Sequence, residues 1–121
     1  MVNGNQNKTV KGKVGEKIAK EYLSKLNYTF IEQNFYYNHG EIDLICMDQS
    51  ELVFIEVKFR NKTAMGDPVE SVTPRKQNLI RRTAEGYVAK KNISNTPCRF
   101  DVITIVKENK THKITHYKNA F

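Results

Sequence analysis

The stretch from Gly40 to Arg60, GEIDLICMDQSELVFIEVKFR, limits what this chain can fold into more than any other. Its two apolar runs, Ile42 to Met47 and Leu52 to Phe59, are rich in β-branched residues and are parted by the polar break Asp48 to Glu51. That is the pattern of two buried strands joined as a hairpin. Side chains alternate along a strand, so Glu41, Asp43 and Ile45 share one face of the first strand, and Phe54, Glu56, Lys58 and Arg60 share a face of the second. A turn centred between Gln49 and Ser50 sets Asp43 opposite Glu56 and Glu41 opposite Lys58. Opposed like charges destabilise an antiparallel pair. At an effective dielectric of about 20, two unit charges about 5 Å apart repel by roughly 3 kcal/mol. A divalent cation between the carboxylates reverses that sign, and oxygen donors suit Mg²⁺ or Mn²⁺.

The wording around these residues carries a resemblance. Asp43 followed by Glu56-Val57-Lys58 resembles the acidic-acidic-lysine signature of the restriction-endonuclease-like nucleases, the PD-(D/E)xK group. The blocks Gly40-Glu41-Ile42-Asp43-Leu44-Ile45 and Phe54-Ile55-Glu56-Val57-Lys58-Phe59-Arg60 are flanked by Gly12-x-x-Gly15-Glu16-x-x-Ala19 and by Pro74-x-Lys76-Gln77. In that order they are similar to the small YraN-like bacterial proteins, which are read as endonucleases. The likeness runs from about Gly12 to Val106, with Ile42 standing where the superfamily's name has proline. It implies a mixed central sheet with helices on both faces. It also implies Asp43, Glu56 and Lys58 as catalytic residues, a metal held by Asp43 and Glu56 with Glu41 or Glu16 as outer ligands, and Mg²⁺ or Mn²⁺ as cofactor. In junction-resolving members a first-helix glutamate joins the metal, and Glu16 is the match; a surface pair with Lys20 at i,i+4 suits the same residue. The resolvase likeness further implies a homodimer acting on branched DNA.

Length and charge agree with a single domain over residues 9–121 behind a frayed polar tail at residues 1–8. The chain has 20 Lys and Arg against 13 Asp and Glu, a formal charge of +7, which favours polyanion partners through counterion release. No apolar run is long enough for a membrane span and no apolar segment follows the N-terminus, so a cytoplasmic protein is expected. Cys46 and Cys98 are unpatterned and read as buried thiols rather than a disulfide or zinc site.

In chain order, a helix from about Thr9 shows a stripe of Val14, Ile18, Tyr22 and Leu26 with Ala19 and Leu23 beside it. Tyr28 to Phe35 reads as an edge strand and Asn34 to His39 as a polar-aromatic turn. There, Tyr36 and Tyr37 are expected to pack rather than stack on bases, and His39 to be solvated. Residues 61–73 read as a loop able to close over a ligand. Thr73 as N-cap and Pro74 at the first helical position start a helix to about Lys91, with Leu79, Ile80, Thr83, Tyr87 and Val88 inward and close packing expected at Gly86. Its first turn brings Arg75, Lys76 and Gln77 together with free N–H groups, a phosphate-binding arrangement that Arg60 extends. Cys98 to Val106 reads as an interior strand in which Asp101 serves a salt bridge or catalysis, and Ile114 to Tyr117 as a short last strand.

Together these readings predict an α/β fold and metal-assisted hydrolysis of nucleic-acid phosphodiesters, with DNA the expected partner. Contacts of phosphate type alone are evident, which favours recognition of DNA shape over base sequence. A binding module that does not cut is the alternative, and a surface ladder of Glu41, Asp43, Glu56 and Lys58 the third reading.

Overall fold

The computed structural model describes residues 10–61 and 72–121; the expected tail and most of the loop after Asn61 lie outside them. The elements follow as α1 (Val10–Lys25), β1 (Thr29–Tyr37), β2 (Gly40–Asp48), β3 (Glu51–Asn61), α2 (Pro74–Lys90), β4 (Cys98–Glu108) and β5 (Thr111–Tyr117). The five strands form one sheet in sequence order. β3 and β4 pair in parallel, across the α2 crossover, and the other neighbours are antiparallel. This mixed sheet with two helices is an α/β fold consistent with the restriction-endonuclease-like architecture. Among the described residues, no helix is long and apolar enough to cross a membrane.

Each face of the sheet carries its own core. Ile80, Ala84 and Tyr87 of α2 pack with Phe35, Ile42, Ile45, Phe54 and Val102. On the other face Ala19 and Leu23 of α1 pack with Leu44, Cys46, Val53, Ile55, Ile103 and Ile105. β3 alternates cleanly between the two, so it is covered on both sides, as an interior parallel strand should be.

The hairpin forms as expected, with Gln49 at φ 55 in its turn and pairs from Asp48–Glu51 to Leu44–Ile55. Beyond Leu44–Ile55 the expected register does not continue: Asp43–Glu56 and Glu41–Lys58 are not pairs of the ladder. The physical reason lies at Asp43, whose carboxylate takes the Val57 N–H at 2.8 Å. Strand alternation also shifts here, because Ile42 and Ile45 both lie on the α2 side while Leu44 faces α1. Across from it Asn34 adopts φ 56, between the pairs Gln33–Leu44 and Phe35–Ile42. A left-handed residue, which Asn tolerates better than most, turns the strand over without ending it.

Other boundaries moved for related reasons. The expected turn from Asn34 is strand as far as Tyr37, and the chain reverses at Asn38 and His39, both at positive φ. α1 is rotated from its apolar stripe: Val14 and Leu26 are exposed, and the buried edge is Gly15, Glu16, Ala19 and Leu23. Gly15 makes that rotation feasible, since a Cβ there would lie 2.9 Å from Phe59 Cβ. α2 begins on the Thr73 cap with Pro74 in its first turn, as read from the sequence, but Leu79 is exposed. Gly86 gives the expected close approach, its backbone lying against the Tyr37 ring. β4 is interior, β5 is longer than expected, and Cys98 is exposed where a buried thiol was expected.

Candidate metal centre

The shift of alternation in β2 has a chemical result, because it turns carboxylates toward α1. Glu16 comes to meet them from the buried edge of that helix, with only 1% of its surface exposed. Its inward pose is fixed by Gln33 of β1, whose Nε2 donates to Glu16 Oε1 at 2.9 Å while its Oε1 accepts from Lys20 Nζ at 3.2 Å. Gln33 thus stands between Glu16 and Lys20, and the surface reading of Glu16 gives way to an inward-facing one.

Glu16, Glu41 and Asp43 each place a carboxylate oxygen within 4.8 Å of the others. A hard cation with metal–oxygen distances of about 2.1 to 2.5 Å spans oxygen pairs roughly 3 to 5 Å apart, so three carboxylates at this spacing fit one. The donor set is all oxygen, without the sulfur or imidazole that zinc and copper favour. Asp43 is 6% exposed and anchored by the Val57 N–H, so its other oxygen is oriented by the backbone of β3.

Glu56 lies beside this trio and is held differently. Its Oε2 meets Lys76 Nζ at 2.9 Å and Lys58 Nζ at 3.3 Å. Burial alone would raise the Glu56 carboxyl, but the Lys76 ammonium, helped by Lys58, holds it below the ordinary value. Burial, reinforced by Lys76, keeps Lys58 below the usual lysine range despite Glu56. Burial would also lower Lys76, yet its closeness to Glu56 raises it instead. The site therefore joins an acidic trio to a carboxylate already shared by two ammoniums.

The remaining expected residues distribute around it. Arg60 is half-buried near the end of β3, and Arg75 is exposed on the first turn of α2. Gln77 donates through Nε2 to the Val72 carbonyl at 3.0 Å, which ties the helix start to the chain before it. Tyr37 packs on α2, Tyr36 is partly exposed and His39 is exposed.

Asp101 serves a different end of the sheet. It is fully buried and receives Arg99 through Nε and Nη2 at 2.9 and 3.0 Å, the Asn119 N–H at 2.9 Å, and His116 Nε2 at 2.7 Å. Arg99 also donates to Asp48, Glu51 and the Tyr28 hydroxyl. Of the two roles read for Asp101, the structure favours the salt bridge. Sequence reasoning passed over Gln33, Arg99 and His116. Nothing in local pattern brings Gln33 to Glu16, although Arg99-x-Asp101 on one face of a strand is a visible pairing signal.

The sequence pattern of uncharacterised protein family UPF0102 matches residues 15–105. The chain belongs to this family. A UPF0102 protein of Geotalea daltonii is 44% identical over 118 residues, covering 97% of this chain and 92% of its own length. Another, from Caldanaerobacter subterraneus, is 42% identical over 95% of this chain and 97% of the relative, and one from Colwellia psychrerythraea is 39% identical over 97% and 92%. The family's matched span takes in Glu16, Gln33, Glu41, Asp43, Glu56, Lys58, Lys76, Arg99 and Asp101, while His116 and Asn119, which complete the Asp101 network, lie beyond it.

Proposed function

We propose that this UPF0102 chain is a Mg²⁺-dependent endonuclease that hydrolyses DNA phosphodiester bonds, acting as a homodimer on branched or junction DNA. The observation that carries the reading is the juxtaposition of the Glu16–Glu41–Asp43 trio with Glu56, Lys58 and Lys76. Glu16, Glu41 and Asp43 would hold the cation, with Glu56 at its margin. Bound there, Mg²⁺ supplies Lewis-acid polarisation of a phosphate and a lower pKa for an attacking water. Val57, through its N–H, keeps the Asp43 carboxylate aimed, and Gln33 does the same for Glu16. Lys58, its pKa depressed, orients the water or stabilises the charge that develops on the phosphate. Arg60, Arg75, Lys76 and Gln77 border the DNA backbone, where the +7 chain charge assists association.

A second reading, a nucleic-acid-binding module that does not cut, is favoured by the two ammoniums already on Glu56. The experiment that separates them combines Mg²⁺ and Mn²⁺ calorimetry on the parent and Asp43→Asn with cleavage of four-way-junction, flap and single-stranded DNA. Metal-dependent cutting that Asp43→Asn abolishes supports the nuclease; DNA binding with neither metal uptake nor cutting establishes the module.

A further inference from the structure

Lys76 is placed to do more than border a phosphate. Its backbone is fixed by the start of α2, where Lys76 N donates to the Thr73 hydroxyl at 3.3 Å and Pro74 stiffens the same turn. From there its side chain crosses to β3 and places Nζ 2.9 Å from Glu56 Oε2. Lys58, from Glu56's own strand, reaches that same oxygen at 3.3 Å. One oxygen thus has two ammonium partners, and they differ in freedom: the Lys76 side chain is 38% exposed, that of Lys58 16%. Lys76 also feels the charge of Asp43, a member of the acidic trio. Its ammonium stands at the junction of the trio and Glu56, where its positive charge opposes a second cation.

We propose that Lys76 is a positioning residue that keeps Glu56, beside the acidic trio, occupied in an ion pair and so withheld from a cation until a phosphodiester draws its ammonium off. Cation binding at Glu16, Glu41 and Asp43 and backbone binding at the start of α2 then reinforce each other. The proposal rests on the nuclease reading for the phosphodiester and adds to it the coupling between metal and substrate. The exchange is favourable because the first turn of α2 offers an anion the exposed Arg75 and the positive end of the helix dipole, so Lys76 leaves one anion only to meet another. Coupling of this kind is reciprocal, whichever ligand arrives first.

Calorimetric titration of the metal-free chain with Mg²⁺ reads the clamp without any turnover. Lys76→Gln binds the cation about fivefold more tightly or better. Lys76→Arg, which keeps the charge, and Lys90→Gln, which removes a cation from the far end of α2, retain the parent's affinity. With Ca²⁺ as the probe, a short DNA duplex tightens cation binding by the parent and leaves Lys76→Gln unchanged. Lys76→Gln with the parent's affinity overturns the clamp, as does a duplex that tightens both chains alike. A Lys76→Gln chain that gains cation affinity while no chain cuts DNA removes the nuclease reading and leaves the clamp in place. A parent that cuts DNA, with cation affinity indifferent to Lys76→Gln, does the reverse.

Discussion

Replacing Arg99 with Met tests whether the far end of the sheet is held by one guanidinium. Arg99 touches three carboxylates, but they are unequal: Asp101 is fully buried, while Asp48 and Glu51 are partly exposed. Exposed pairs contribute about 0 to 1 kcal/mol each, whereas breaking a buried pair costs about 3 to 5 kcal/mol because a charge stays behind. The Asn119 N–H and His116 remain on Asp101 and offset part of that. Methionine keeps much of the stem's packing. The net expectation is a loss of about 3 kcal/mol, from a total of roughly 5 to 15 kcal/mol for a domain of this kind. Urea unfolding monitored by circular dichroism should show a lower midpoint at unchanged slope, and the melting temperature should fall by about 10 °C. Arg99→Met combined with Asp101→Asn removes the orphaned charge and should recover at least about 1 kcal/mol of the loss. A single mutant destabilised by less than about 1 kcal/mol, or a double mutant with purely additive loss, refutes the reasoning.

Gly86→Ala should destabilise the parent by about 1 to 3 kcal/mol by driving a methyl into the Tyr37 ring. In a Tyr37→Ala background the same change should stabilise by about 1 kcal/mol, because only the helix preference for alanine remains; thermal unfolding of the four chains reads the reversal of sign. Gln33→Leu frees Glu16 and Lys20 from their shared amide, and Mg²⁺ affinity measured by calorimetry should fall about 10-fold or more while the fold persists. Glu56 and Asp101 both have depressed pKa values, so their stabilising contributions are complete above the ordinary values of 4.5 and 3.8 and are lost as pH falls through the lower folded values. Stability of the metal-free chain should therefore drop below about pH 4; Asp101→Asn should flatten that acid limb.

The hairpin was legible because its signals agree: two β-branched runs, a polar break of turn length and alternation that holds from Leu44 to Asp48. The α2 start was legible for a similar reason, since Thr73 and Pro74 act locally. What escaped depends on contacts distant in sequence. Alternation predicts that Ile42 and Leu44 share a face, yet they part at Asp43, which bonds the Val57 N–H and lies across from Asn34 at φ 56 on another strand. The apolar stripe of α1 pointed to Val14 and Leu26, yet the helix turns Glu16 inward because Gln33 meets its carboxylate and Gly15 admits Phe59. A buried carboxylate looks, residue by residue, like a solvated one. Sequence symmetry about the turn makes Asp43 and Glu56 a ladder pair, whereas in the fold the Asp43 side chain substitutes for backbone pairing at Val57.

The sheet's strand order also sets a timetable for folding. β1, β2 and β3 meet through short reversals, so their pairing closes small loops and carries little entropic penalty. β4 must find β3 in parallel register, Leu52 beside Cys98 through Asn61 beside Lys107, only after the whole α2 segment has been looped out. Contacts of such long range slow folding. The meander should therefore assemble early and the β3–β4 seam late. Val102→Ala and Ile103→Ala should then mainly speed unfolding, while Cys46→Ala and Val53→Ala should slow folding itself. Glu41 and Asp43 of the acidic trio come from β2, so two carboxylates of the proposed cation site are drawn from the meander that closes first, and Glu16 joins them when α1 docks. A cation present during refolding would find the two β2 carboxylates in place before the Arg99 network has locked the opposite end.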